Sequence, residues 1–189
     1  RFMVLCSLLF VIGQEDFFQA GLSDATVVTV YLLPDLNARL IPKFLKELKP
    51  GSRIVSHRWE MGKWKPDLTL KGYGTSVYLW VVPAHVDGNW RVTLSNEKGS
   101  REYTLAIRQN FQKIKATLSD DKRRYSVEDT NLQGNDIAIS VSDTVRGKIF
   151  ILSMEAAVNG DAMAGTASIR EGDTLFAAPY SMKAERLAR

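Results

Sequence analysis

The stretch ATVVTVYLLP, residues 25–34, constrains this chain more than any other. It is an almost unbroken apolar run that ends in proline. Val27, Val28, Val30 and Tyr31 give it β-propensity on both faces, the pattern of a strand in a parallel sheet with layers above and below. Such a strand expects a neighbour on each edge. Its next parallel partner can be reached only through a crossover of a dozen or more residues.

That crossover follows at once. In DLNARLIPKFLKELKPG, the residues Leu36, Leu40, Phe44, Leu45 and Leu48 recur at helical spacing, so one face is apolar. Pro42 falls in the middle and predicts either a kink or a new helix started at its first turn. Lys46 and Lys49 suit the negative end of the helix dipole, and KPG stops the helix. SRIVSH then reads as a short strand, which completes a βαβ unit. Residues 58–74, RWEMGKWKPDLTLKGYG, read as a loop with a short strand at Leu68–Leu70. The loop follows the carboxyl end of a parallel strand, the side on which open α/β sheets bind ligands. TSVYLWVVPA is a further apolar strand.

After Pro83 the pattern changes from helical spacing to alternation. NWRVTL, REYTLAI, FQKIKATL, YSVEDTNL, DIAISVS, GKIFILSMEAAV and AMAGTASI are short strands separated by Gly, Asn, Asp and Ser turns. LQGNDIAI and VNGDAMAG resemble each other at a 26-residue offset, from Leu132 to Val158, and each carries a glycine followed by Asn or Asp for a tight turn. The expectation is an antiparallel meander closing into a small barrel or sandwich. The tail MKAERLAR reads as a short surface helix. Two domains are expected, residues 1–87 and 88–189, and the fold class is α/β plus all-β.

Charge narrows the partners. The net charge is +4, and part of the excess lies between Arg39 and Lys71, with nine basic and three acidic residues. This reads as a solvated basic face. No Arg-rich recognition helix or aromatic-interleaved basic stripe accompanies it, so nucleic acid is not the expected partner. The single cysteine, Cys6, rules out an internal disulfide. The two histidines, His57 and His85, do not make a metal site. Residues 2–12 are apolar apart from Ser7, but eleven residues are too few to span a bilayer as a helix. They read as a buried strand or helix, or a leader. A clipped signal core would mean export, yet no A-x-A site follows. No membrane partner is expected. P-loop, G-x-S-x-G and Ser/His/Asp patterns are all missing from the sequence.

The ordered series EDFF, DATVVTVYLLP, LKELKPGSRIVS and SVYLWVV, over roughly residues 10–87, resembles the carboxyl half of a class I S-adenosylmethionine-dependent methyltransferase. The resemblance implies a partial Rossmann-like sheet containing the fourth, fifth and final strands of that family. EDFF looks like the acidic-aromatic segment bordering the cofactor adenine, which would give Asp16 and Phe17 that role. Leu32, with Tyr31 and Pro34, would end the strand beside the transferred methyl. VVTVYLLP and the H-x-x-x-MG-x-W-x-P run look most like a bacterial subgroup related to small protein-lysine methyltransferases. The family's first three strands and glycine-rich loop have no counterpart here. Before residue 51 the glycines are only Gly13 and Gly21. A truncated sheet, with weak or no cofactor binding by this chain alone, is the corresponding expectation. The strand at 25–34 would then lack its inner neighbour. FMVLCSLLFV is a candidate to cover that edge, and association through the exposed edge is the other outcome.

The candidate catalytic residues are Tyr31, to shape the pocket or orient an amine, and His57, as general base. Trp59, Glu60 and Trp64 are candidates to hold a cationic lysine or small amine through cation–π and charge contacts. Two functions follow. One is methyl transfer from S-adenosylmethionine to a protein lysine or small-molecule amine, in the cytoplasm where the cofactor is supplied. The other is a non-enzymatic binding module formed by the carboxyl-terminal β-domain.

Overall fold

The computed structural model describes residues 16–188, apart from residues 73, 173 and 176–178. The proposed covering strand, FMVLCSLLFV, lies outside the described residues.

The first unit is a four-stranded sheet with one helix. Its elements are β1 (Val27–Val30), α1 (Pro34–Glu47), β2 (Arg53–His57), β3 (Leu68–Gly72) and β4 (Thr75–Val81). The sheet order is β1-β2-β4-β3. β1 and β2 are parallel, with Val27 opposite Arg53 and Val30 opposite Ser56. β2–β4 and β4–β3 are antiparallel. The expected βαβ unit is therefore present, and among the described residues β1 is an edge strand.

α1 starts with Pro34 at its first position, where the missing N–H costs nothing and φ is already helical. Pro42 neither starts a new helix nor ends this one; it sits inside a 14-residue helix. Asn37, Leu40, Phe44 and Leu48 form the buried stripe. Leu40, Phe44 and Leu48 pack with Ile54, Met61, Trp64, Trp80 and Val82. One face of β1 joins this core through Val28 and Val30, while Val27 is 45% exposed on the other. The sequence reading of β1 as covered on both faces is thus corrected: among the described residues α1 covers one face only.

The second unit is a closed barrel. Its strands are β5 (Gly88–Asn96), β6 (Gly99–Asn110), β7 (Lys113–Ser119), β8 (Arg124–Gln133), β9 (Asp136–Val145), β10 (Lys148–Asn159), β11 (Ala162–Glu171), a two-residue β12 (Thr174–Leu175) and β13 (Tyr180–Arg186). Antiparallel pairing runs β10-β9-β8-β7-β6-β5-β13-β11, and β10–β11 closes the ring at eight strands. Closure removes every long edge in this unit. It also decides between barrel and sandwich. The two related hairpins are β8–β9 and β10–β11, turning at Gly134 and Gly160 with φ of 61° and 60°.

The tail is corrected too. Tyr180–Arg186 is a strand, not a surface helix, and it pairs with both β5 and β11. Its alternation explains this: Met182 and Ala184 point into the core, while Ser181, Lys183 and Glu185 point out. The interior is filled by inward residues such as Trp90, Leu105, Leu118, Ile139, Met154 and Met163.

The linker between the units is buried, not loose. Val82, Ala84 and Val86 are almost fully covered. Gln109 clasps this segment: its Oε1 accepts the Val86 N–H, and its Nε2 donates to the carbonyls of Ala84 and Phe111. Two hairpin tips of the barrel reach the first unit. The β8–β9 tip places Gly134 so close to Gly51 that an added Cβ would lie 3.0 Å from its Cα, and the Gly134 carbonyl accepts the Ala84 N–H.

Candidate functional site

Parallel strands bring their carboxyl ends to the same edge of a sheet. β1 ends just before Tyr31, and β2 ends on His57. The two rings stack, with centroids 5.0 Å apart and planes 26° from parallel. Tyr31 is 74% exposed, so it forms an outer wall. His57 is held from the other side by Thr75 at the start of β4, with Nε2 3.2 Å from Thr75 Oγ1. Its other ring nitrogen, Nδ1, is buried and has no partner among the described residues.

A second unpaired atom lies at the same strand ends. Asn37, in the first turns of α1, is completely buried. Its Nδ2 donates to Ser56 Oγ at 3.2 Å and to the Trp59 carbonyl at 3.4 Å. The Ser56 hydroxyl donates to the same carbonyl at 2.7 Å. Asn37 Oδ1 is left without a partner among the described residues. Buried polar atoms are nearly always hydrogen-bonded, so each exception calls for a partner; the two lie on opposite faces of β2, Asn37 with Ser56 on the α1 side and His57 with Tyr31 on the other.

The backbone turns sharply here. Arg58 adopts φ of 71°, a left-handed conformation that a non-glycine residue holds only when its surroundings impose it. Its N–H donates to the Ser76 carbonyl, and its guanidinium lies 5.2 Å over the Trp59 ring. Trp59 is 37% exposed and forms part of the rim. Glu60 is paired with Lys65 at 2.9 Å.

Trp64 is placed differently from its neighbours. It is fully buried, its Nε1 donates to Gln112 of the barrel, and its carbonyl accepts the Trp80 indole N–H. Its ring stacks on Phe111. As placed, it offers no face to an acceptor amine, because the barrel covers it.

Asp16 and Phe17 are not joined to the Tyr31–His57 pair by any contact. Asp16 caps a turn: its Oδ1 accepts the Phe18 N–H, and its carbonyl accepts from Gln19 and Ala20. Phe17 is 39% exposed and leans on Phe18, which lies under Arg39. This segment is tied to the end of α1, where Glu47 accepts the Leu22 N–H. The Lys43 ammonium bonded to Glu47 holds that carboxyl below its ordinary range. Leu32 is half-buried and packs into the first core.

Sequence reasoning missed Asn37 and Ser56. A signal for Asn37 was there: it occupies a position of the apolar stripe, three residues before Leu40 and seven before Phe44. An amide on a core-facing stripe needs a reason.

Residues 7–68 match the family model of the ANTKMT methyltransferase domain. This match, and the two that follow, make the amino-terminal part of the chain similar to methyltransferases. The matched segment contains Tyr31, Asn37, Ser56, His57 and Trp59. A protein-lysine N-methyltransferase of Saccharolobus islandicus is 45% identical over 78 residues, covering 39% of this chain and 48% of the relative. The adenine nucleotide translocase lysine N-methyltransferase of Mus musculus is 31% identical over 83 residues, covering 44% of this chain and 35% of the relative. A solved RNA methyltransferase of Salinibacter ruber, in complex with S-adenosyl-L-homocysteine, is 46% identical, covering 39% of this chain and 48% of that chain, with a TM-score of 0.38. The chain thus spans about half, or less, of the length of the relatives it matches.

Proposed function

We propose that this chain carries the acceptor side of an S-adenosylmethionine-dependent methyltransferase site acting on protein lysine. The observation that carries the reading is the buried, unpartnered Asn37 Oδ1, held beside Ser56 at the carboxyl end of β2 inside the matched methyltransferase segment. The sheet order supports it, since β1 and β2 run parallel and β4 and β3 complete an antiparallel edge, as expected for the later strands of the family sheet. The names of the curated relatives favour lysine over a small-molecule amine.

The fit to the cofactor is one-sided. Phe17 offers a partly exposed ring beside Asp16, suited to an adenine edge, and Leu32 and Tyr31 suit the methyl end. The described residues hold nothing for the ribose. When bound, S-adenosylmethionine supplies a methyl group on a positively charged sulfur. Methyl transfer from such a donor needs a neutral amine held in line, so positioning carries much of the rate. Asn37 Oδ1 would accept an N–H of the acceptor amine and fix its direction. On the other face of β2, the stacked Tyr31 and His57 rings would close the strand end. Trp59 and Glu60 would receive the aliphatic stem and the charge of an incoming lysine at the rim.

Transfer of a labelled methyl group from S-adenosylmethionine to lysine in an unfolded polypeptide tests the reading. Label on lysine, reduced in Asn37→Ala, supports it. A folded protein that transfers no label overturns it. No described helix is long and apolar enough to cross a membrane. A cytoplasmic site of action is part of this proposal, because the cofactor is made there.

A further inference from the structure

Inward positions of the barrel change chemistry along its axis. Through the middle they are apolar, as in Trp90, Leu105, Ile139 and Met154. Near the β5–β6, β7–β8 and β9–β10 turns the same alternation instead presents Arg101, Tyr103, Tyr125 and Asp143. This end is opposite the hairpin tips that touch the first unit.

The mouth holds a cavity of about 100 Å³. That is comparable to the ~150 Å³ apolar cavity that accommodates benzene in an engineered protein. Leu118, Val141, Leu152 and Ile169 form its apolar base. Tyr103 and Tyr125 stand edge to face above it, with centroids 6.0 Å apart. Ligand sites do form in the mouths of β-barrels, where an apolar lining meets a few placed polar groups, and a cavity this small admits only a single ring or short chain.

The polar groups are held in place. The Tyr125 hydroxyl donates to Asp120, which also accepts the backbone N–H groups of Lys122 and Arg123. Arg123 lies 4.8 Å over the Tyr125 ring and pairs with Asp143 at 2.5 Å. Both charges of that pair are therefore spoken for. Arg101 is the remaining cation on the cavity wall, and it makes no ion pair among the described residues. One cation is left above an apolar, aromatic base.

We propose that this mouth binds a small apolar monocarboxylate, with the carboxylate on Arg101 and the ring or short chain against Tyr103, Tyr125 and Leu152. The site lies in the barrel and does not depend on methyltransferase activity; it gives the binding-module reading of the β-domain a definite place.

The test is a titration of the full chain with benzoate, hexanoate and the neutral benzyl alcohol, followed by backbone amide NMR. Saturable shifts centred on Arg101, Tyr103, Tyr125 and Leu152 are expected for both carboxylates. Benzyl alcohol should bind at least tenfold more weakly. Arg101→Gln, at an exposed position, should weaken benzoate about tenfold and leave the melting temperature unchanged. Ile169→Phe, which fills the base, should weaken benzoate and benzyl alcohol alike. If it misfolds, Arg101→Gln carries the test. No saturable shift, equal binding of benzyl alcohol, or an unaffected Arg101→Gln variant would each overturn the proposal.

Discussion

Trp64 lies flat on Phe111, the ring centroids 5.5 Å apart and the planes 9° from parallel. One ring belongs to the methyltransferase segment and the other to the β6–β7 turn of the barrel. Gln112, next to Phe111, accepts the Trp64 indole N–H and donates to the Lys65 carbonyl and to Asp67. The barrel therefore completes the core of the first unit: it covers the loop that follows β2, whose other end carries His57 and Trp59.

Removing either ring should loosen that loop. Phe111→Ala is expected to cost about 2 kcal/mol, less than deleting a fully buried ring because Phe111 is half-buried. Trp64→Phe keeps much of the stacking and loses the bond to Gln112, for a cost of about 1 kcal/mol. Urea unfolding followed by tryptophan fluorescence reads both. Equal stability of Phe111→Ala and the parent chain would show that the barrel does not support the loop.

The barrel closes through a position with no room for a side chain. Gly165 on β11 faces Ala156 on β10, and a Cβ there would lie 1.9 Å from the Glu155 carbonyl oxygen and 2.5 Å from the Ala156 Cα. These are backbone atoms in a paired strand, so neither can swing away. Gly165→Ala should open the β10–β11 seam and lower stability by several kcal/mol, about the upper range for single substitutions. A circular dichroism melt checks it, and an unchanged melting temperature would contradict the geometry.

Asp120 gives the barrel an acid-sensitive corner. The hydrogen bond from Tyr125, with those from the Lys122 and Arg123 backbone N–H groups, lowers its pKa from 3.8 to about 2. A carboxyl depressed by folding contributes stability above its unfolded pKa and loses it as pH falls through the folded value. The contribution should be intact above about pH 4 and gone near pH 2. Asp120→Asn should flatten the pH dependence of stability in that window and leave the neutral-pH slope alone. Unfolding curves collected from pH 5 to pH 2 on both proteins would reveal the difference; parallel curves would contradict it.

Asn37 separates folding from chemistry. Its Nδ2 is satisfied within the protein, while its Oδ1 has no partner among the described residues. Asn37→Ala should cost only about 1–2 kcal/mol of stability, the loss of hydrogen bonds to Ser56 Oγ and the Trp59 carbonyl. The rate of labelled methyl transfer should fall on the order of a hundredfold, the scale of a misplaced reactant. Rate and stability falling in proportion would mark Asn37 as structural only.

Much of this was legible in the sequence because periodicity follows burial. The stripe of Leu40, Phe44 and Leu48 forecast α1 and its packing, and strict alternation forecast the barrel strands. The tail was misread because MKAERLAR fits a helix by propensity, while its burial alternates with a period of two once β5 and β11 flank it. β1 was read as doubly covered because its composition is apolar on both faces; composition does not say whether a second layer is present. Tyr31, singled out through the family resemblance, and His57, singled out because it follows a strand, end neighbouring strands, and the structure stacks their rings. Trp64 could not be separated from Trp59 in the sequence, since what buries it is Phe111, 47 residues away. Asn37 was visible only as an interruption of an apolar stripe.

The central claim is that the matched segment presents part of a methyltransferase site, with described residues for one side of the cofactor. Thermal unfolding of the purified chain with rising S-adenosylmethionine tests this most directly, because a ligand that binds only the folded state raises the melting temperature. The account predicts a weak but saturable rise, retained in Asn37→Ala and reduced in Tyr31→Ala. A cooperatively folded protein whose melting temperature does not move at any cofactor concentration would contradict it.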